Sequence, residues 1–518
     1  MLVVARTPAS VNRLWDLLPL ILSDHRIEVT FAVDKGSAFS HPLPEALAGR
    51  GALIKDWAEA VAADYDLALA ASDNGELHRL RAPLIRVPHG VGFHRNAPAQ
   101  QGVISGLRPE SLVHEGTIVP DTLVVAHEDQ AATVRAVAPE LASRVLVAGD
   151  PCMDRIHAST PRRRKYREAL AATDRQLILL CSTWGRFSLY GSDPDLPAWI
   201  TAALPADRYR VALVLHPNVW TRHGPLQIEA WLRHAADAGM IVVPHEEGWR
   251  AAIVAADLVI SDHGSLTSYS VGLRRPVVLA ADGGPEVVAE SPMRRLIDRL
   301  PRLDTEKPLL PQLDAAMRRG DIAGDIAGTI FAHPGRSAAL LRQRMYEVLG
   351  LSEPPWNAVA RPLPSPLVKI TEPEAFVVQA VSDAKRLVLE RFPVVWRAED
   401  QPDGHLAVRA DAADPELSER AAVVWSDELE DPRDLLKRWP GARIAICRST
   451  PNSSVALLRD GTEVETAGDV PCSVAGSALY WWDVHNRRAD ERLDIDAGAN
   501  SGTLTLSAVR PAPRPSAG

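Results

Sequence analysis

Up to about residue 350, short β-branched or apolar runs alternate with longer Ala-, Leu- and Arg-rich stretches of helical period. Runs at 3–4, 27–33, 66–71, 84–87, 122–126 and 144–148 predict buried strands, each followed by a helix or loop. A second series, at 176–181, 210–215, 240–243, 257–261 and 276–280, begins after the basic stretch 161–165 and repeats the alternation. A strand covered on both faces shows no inside/outside alternation, so continuous apolar runs separated by helices predict parallel, doubly wound sheets. The expectation is an α/β chain of two Rossmann-like domains, 1–158 and 159–350, with a cleft between them.

Six prolines within 353–373 predict a linker, taken as 351–373, because proline blocks both helix and central strand. Beyond it, 374–509 mixes a helix-like stretch at 375–391 with strand-like runs at 421–425, 443–447, 455–458 and 503–506. That mixture predicts an accessory α+β domain without a recognisable catalytic motif. The proline-rich tail 510–518 predicts disorder.

Composition narrows the function. The 518 residues suit about three domains, and 46% hydrophobic with 24% charged residues suits a folded globular protein. A net charge of −9 lacks the basic excess of a nucleic-acid binder, so no nucleic-acid partner is expected. Cys152, Cys181, Cys447 and Cys472 are scattered, which predicts neither a zinc site nor a disulfide framework and fits a reducing cytoplasm. No export signal or membrane-length apolar run is read, and cytoplasmic localisation is expected. His216 and His223 lack an acidic partner at a metal-binding spacing, so neither a metal nor another cofactor is expected.

In doubly wound folds ligands bind beyond the carboxyl ends of strands, so the polar residues after each apolar run carry the chemistry. Four places stand out. The run 84–87 ends in Pro88-His89-Gly90, presenting an imidazole suited to general-base work at a strand tip. A turn histidine bonded to backbone is the plainer alternative. The run 176–181 ends in Ser182-Thr183-Trp184-Gly185-Arg186, where Thr183 and Arg186 could hold a phosphate or merely cap a turn. The run 210–215 leads directly into His216-Pro217, which fixes a second imidazole. After 257–261 comes Asp262-His263-Gly264-Ser265-Leu266-Thr267-Ser268, a helix start whose amides and hydroxyls suit a diphosphate, though serines are also ordinary caps. Neither a P-loop nor an early G-x-G-x-x-G is present, which disfavours ATP hydrolysis and dinucleotide redox chemistry.

These motifs in this order resemble the GT-B superfamily, and most closely the CDP-glycerol glycerophosphotransferase family related to teichoic acid synthesis. That family carries an HGT-type loop, a G-x-P-x-x-D turn, a strand ending in Thr-Trp-Arg, a strand ending in His-Pro, and a helix start with paired serines followed by a Lys/Arg-Pro strand. The counterparts are His89-Gly90, Gly149 to Asp154, Leu177 to Arg186, His216-Pro217, and Asp262 to Ser265 with Arg275-Pro276. The resemblance covers roughly residues 1–350. It implies an enzyme moving a glycerol-phosphate-type group from a CDP-activated donor to an acceptor hydroxyl, as on a cell-envelope polymer or lipid-linked intermediate. His89 and His216 would be catalytic; Thr183, Arg186, His263, Gly264, Ser265, Thr267 and Ser268 would bind the donor. Peripheral attachment to the inner face of the membrane is compatible with the resemblance, although the only basic stretch is 162–165.

The family's lysine after its HGT loop is missing, and its paired serines become Gly264-Ser265 preceded by His263. His263-Gly264 with Ser268 also resembles the H-x-G start of glycosyltransferases using UDP-, GDP- or TDP-sugars, which makes sugar transfer the second expectation. A UDP-N-acetylglucosamine 2-epimerase-like enzyme shares the G-x-P-x-x-D turn but not its HRxEN motif. A catalytically degenerate GT-B scaffold that only binds is the non-enzymatic alternative.

Overall fold

The computed structural model describes residues 1–97, 100–383, 386–395, 404–485 and 491–509. Strands β1 (Leu2–Ala5), β2 (Thr30–Val33), β3 (Ile54–Lys55), β4 (Ala68–Ala70), β5 (Leu84–Arg86), β6 (Thr122–Val125) and β7 (Val145–Val147) form one parallel sheet in the order β7-β6-β5-β4-β1-β2-β3. Strands β8 (Gln176–Ser182), β9 (Tyr209–Leu215), β10 (Ile241–Val243), β11 (Leu258–Ser261) and β12 (Val277–Leu279) form a second, in the order β10-β9-β8-β11-β12. Both sheets are Rossmann-like. In each, strand order reverses at the first strand, leaving a crevice beyond the carboxyl ends. The apolar runs predicted these strands because most are buried on both faces; the two half-buried residues of β3 left no such run.

Seven helices matter below: α1 (Pro8–Leu17), α2 (Pro151–Ala158), α3 (Pro217–His223), α4 (Trp249–Ala255), α5 (Ser265–Gly272), α6 (Ser337–Leu349) and α7 (Cys472–Val484). The two lobes exchange helices. Cys152, Met153 and Ile156 of α2 join the second lobe's core, whereas Ala338, Leu341, Met345 and Tyr346 of α6 return to the first lobe's core beside Leu14 and Leu17. Asp154 ties the two crossings together by accepting from the amides of Gly335 (2.7 Å) and Ser337 (3.0 Å). The first lobe's core is thus completed by a helix from near the far end of the two-lobe region.

The proline-rich segment is a strap. Leu363 is buried in the second lobe's core; its amide donates to Ser159 Oγ (2.9 Å) and its carbonyl accepts from Tyr166 Oη (2.7 Å).

The C-terminal region is a closed β-barrel, which corrects the expected α+β domain. Its strands are β13 (Ala375–Asp383), β14 (Arg386–Pro393), β15 (His405–Arg409), β16 (Val423–Ser426), β17 (Ile444–Thr450), β18 (Ser453–Leu458), β19 (Glu463–Gly468), β20 (Glu491–Asp496) and β21 (Gly502–Val509), closed in the order β13-β14-β20-β21-β19-β18-β17-β16-β15. The stretch read as helix at 375–391 is the β13–β14 hairpin, in which Phe376, Val378, Leu387 and Leu389 are buried at the two-residue period of strands. Helix α7, buried on nearly every face, packs against the inward residues of β13 to β18. The tail 510–518, expected to be disordered, lies outside the described residues.

The barrel docks on the loop before β9. Arg391 grips Asp207 through two bonds of 2.7 Å, both side chains being buried, and Asn500 Nδ2 donates to the same carboxylate (2.6 Å). This is the opposite end of β9 from His216, and no described barrel residue lines the crevice between the lobes. Among the described residues, no helix is long and apolar enough to cross a membrane, and no group of three or more His, Cys, Asp or Glu is arranged to hold a metal ion.

Candidate functional site

A cavity of about 180 Å³ lies between the lobes at the carboxyl ends of both sheets. The first lobe contributes Arg13 of α1, Asp73, Arg86 and the loop from Pro88 to Arg95; the second contributes Thr183, Trp184, His216, His245 and the turn into α5.

His89 follows β5 and opens into the cavity. Next to it, Gly90 gives the close approach its room: a Cβ there would lie 2.6 Å from Ser265 Oγ, so the hydroxyl or the loop would have to shift. The Val91 amide donates to the same oxygen (3.3 Å), so the histidine loop of one lobe rests on the helix start of the other. Although His89 touches the cavity's solvent, desolvation by the surrounding walls lowers its pKa; Asp73 opposes that shift, and Arg13 and Arg95 add to it.

His216 caps α3. Its Nδ1 accepts from the Asn218 amide (3.0 Å), which fixes the neutral ring with its proton on Nε2. Burial, then repulsion from His89, Arg95 and His245, pushes its pKa down to about 3. At neutral pH His216 is an uncharged hydrogen-bond donor. His94 has the reverse tautomer, since Nδ1 donates to the Gly92 carbonyl (3.2 Å), and burial is the main cause of its pKa of about 4.

Asp262 organises the helix start. Its carboxylate accepts from the amides of Thr183, Leu189 and Gly264, each at 2.9 Å, fastening the loop after β8 to the turn after β11. The amides of Ser265 and Leu266, at the first positions of α5, have no intrahelical acceptor. The Gly264 amide is occupied by Asp262, so Gly264 contributes close packing against Thr183, where a Cβ would lie 3.0 Å away.

His263 lines the cavity wall but is 1% exposed. Its Nε2 donates to Glu286 (3.1 Å), which also pairs with Arg95, and its Nδ1 has no hydrogen-bond partner among the described residues. Burial alone would raise Glu286, but these two partners hold its carboxyl below the usual range.

Of the residues read as donor-binding, His263, Gly264, Ser265 and Thr183 line the cavity with His89 and His216. Three do not. Thr267 is buried under α5, its hydroxyl donating to Ser261 Oγ (2.7 Å) or the Asp262 carbonyl (2.5 Å), because a hydroxyl two residues into the helix faces back to β11. Ser268 is likewise buried away from the cavity. Arg186 is exposed, its guanidinium 4.4 Å from the Phe187 ring centroid, while Trp184 faces inward beneath Arg95 at 4.9 Å.

Two buried ion clusters floor the cleft and escaped sequence reading. Arg13 pairs with Asp150 through bonds of 3.0 and 2.9 Å and reaches the Gly90 carbonyl (3.1 Å) and Tyr269 Oη (2.7 Å). One turn along α1, Asp16 binds Arg250 at 2.9 Å. Burial would raise Asp16, but Arg250, Arg13 and Arg155 keep its carboxyl below the usual range. The available signal was a charged pair three residues apart on a helix whose neighbours Leu14 and Leu17 are apolar. Glu286 had none.

No family model matches this chain. No curated protein matches it. Among solved structures, the wall teichoic acid polymerase TagF is similar over 68% of this chain and 88% of its own, with 13% identity and a TM-score of 0.48. The S. aureus MnaA–UDP co-structure covers 69% of this chain and 98% of its own (12% identity, TM-score 0.43). UDP-GlcNAc 2-epimerase from Neisseria meningitidis bound to UDP-GlcNAc covers 67% and 98% (12% identity, TM-score 0.39).

Proposed function

We propose that the cleft binds a nucleotide-activated donor through its diphosphate at the start of α5 and transfers a polyol-phosphate group, as from CDP-glycerol, to an acceptor hydroxyl. One observation carries this reading: His89 of the first lobe, and His216 and the open α5 start of the second, line one cavity. His89 accepts the acceptor's proton as its oxygen bonds to the distal phosphorus. The bond from that phosphorus to the bridging oxygen breaks, and the nucleoside monophosphate departs. The charge growing on the departing phosphate meets the Nε2 proton of His216, the amides of Ser265 and Leu266, and the positive end of the α5 dipole. Phosphoryl transfer depends mainly on such positioning and charge stabilisation. Neutral imidazoles suit both roles, since a base must arrive unprotonated and a fixed donor needs no ionisation.

Sugar transfer from a nucleotide sugar is the second reading. It is favoured by His263, buried and held by Glu286 immediately before Gly264, which stands where the glycerophosphotransferase resemblance expects the first of two serines. A thermal-shift panel of CDP-glycerol and UDP-, GDP- and TDP-sugars, followed by turnover of wild type, His89→Ala and His216→Ala, tests both. A donor at 100 times its Kd adds about 2.7 kcal/mol of stability. CDP-glycerol giving the largest shift and His89-dependent release of CMP supports the first reading; a nucleotide sugar consumed with release of nucleoside diphosphate supports the second. Epimerisation without an acceptor would identify epimerase chemistry, and binding without His89-dependent turnover a scaffold.

A further inference from the structure

We propose that Arg13 is a positioning residue of this site: one guanidinium sets the His89 loop against the donor helix. The proposal rests on the transferase reading above and adds a part to it. The Arg13 side chain is 3% exposed and is shared by four segments. It belongs to α1; its Nη atoms bind both oxygens of Asp150, the Gly90 carbonyl and Tyr269 Oη. Asp150 caps α2, accepting from the amides of Cys152 (2.8 Å) and Met153 (3.0 Å), and also accepts from Tyr269 Oη (3.1 Å). Thus the fork is held by the lobe crossing at α2, while Nη2, one of the two nitrogens of that pairing, also holds the two pieces of the site.

Sequence spacing turns these bonds into a geometric constraint. Gly90 directly follows His89, and Tyr269 lies four residues after Ser265, one turn along α5. The next residue after Gly90, Val91, donates its amide to Ser265 Oγ (3.3 Å), so loop and helix start are already in contact. A lysine would keep the charge but lose the bidentate pairing in which Nη1 and Nη2 each take one Asp150 oxygen, and it is this pairing that fixes the direction of the Nη2 bearing the Gly90 and Tyr269 bonds. The charge also acts on His89, where Arg13 disfavours the protonated ring and keeps it ready to accept.

The test compares wild type, Arg13→Lys, Arg13→Gln and Tyr269→Phe by donor turnover, by KM for the donor, and by NMR titration of the His89 ring without donor, its signal assigned with His89→Ala. The expected result for Arg13→Lys is a folded protein with kcat reduced about 100-fold, the cost of a displacement near 1 Å, and a donor KM within about threefold of wild type. Arg13→Gln should raise the His89 titration midpoint, whereas Arg13→Lys should leave it near wild type. Lowered melting temperatures with unchanged kcat per folded molecule and an unmoved His89 midpoint would overturn the proposal. If wild type turns over no donor, the transferase reading fails and the titration alone decides: an unmoved midpoint in Arg13→Gln overturns the role of Arg13. Should both Arg13 variants fail to fold, Tyr269→Phe, which removes a single hydroxyl, decides by the same readouts; unchanged kcat and an unchanged His89 signal would overturn it.

Discussion

His216 offers a perturbation whose size and pH dependence follow from its surroundings. Its ring accepts the Asn218 amide and lines the cavity, and desolvation with repulsion from His89, Arg95 and His245 holds its pKa at about 3 against about 6.5 in an unfolded chain. Below pH 6.5 the unfolded chain binds a proton that the folded chain refuses. The stability due to the neutral ring is therefore complete above that pH and is lost as pH falls through the window from about 6.5 to about 3. At about 1.36 kcal/mol per unit, the loss by pH 5 is about 2 kcal/mol. Water in the cavity reduces this to roughly 1–2 kcal/mol. His216→Asn keeps a side-chain oxygen for the Asn218 amide, so the helix cap survives while the titrating group is removed. Urea unfolding of both proteins at pH 7, 6 and 5 is the assay. The variant should be within ~1 kcal/mol of wild type at pH 7, and the difference should move in its favour by roughly 1–2 kcal/mol by pH 5. A difference independent of pH would refute the neutral state of His216, and with it the donor role of Nε2.

Other residues lend themselves to equally direct tests. Gly90→Ala should cost about 1–3 kcal/mol by forcing a methyl group onto Ser265 Oγ, and Ser265→Ala in the same chain should recover most of it; additive losses in thermal unfolding would contradict that contact. Asp207→Asn leaves the buried Arg391 without its carboxylate and should weaken barrel docking by about 3–5 kcal/mol. Limited proteolysis should then cut the strap at 351–373 faster while nucleotide affinity stays unchanged, since no described barrel residue lines the cleft. Thr267→Val should destabilise the fold by about 1–3 kcal/mol yet leave nucleotide affinity within a few-fold by calorimetry, because its hydroxyl is bonded inside the second lobe.

The parallel sheets were legible because strands such as β8 and β11 are apolar on both faces and appear as unbroken runs. The strand tips were legible for the same reason: His89, His216 and the Asp262–Ser265 turn each stand where an apolar run stops. What the one-dimensional pattern hid depends on pairing in space. The run 375–391 is apolar enough to suggest a helix, and the two-residue period of Phe376, Val378, Leu387 and Leu389 stands out only once their partners across the hairpin are known. Thr267 and Ser268 looked like anion ligands because composition does not reveal which side of the first turn of α5 faces the sheet. Arg13, Asp150 and Tyr269 are separated by more than a hundred residues at each step, so only folding brings their charges together.

A crystal structure with a bound nucleoside diphosphate decides whether the α5 start is the donor site. Phosphate oxygens should lie about 2.7–3.1 Å from the amides of Ser265 and Leu266 and from His216 Nε2, with His89 across the same cavity toward the first lobe. A nucleotide bound elsewhere, or one whose phosphates face solvent with α5 untouched, would contradict that assignment.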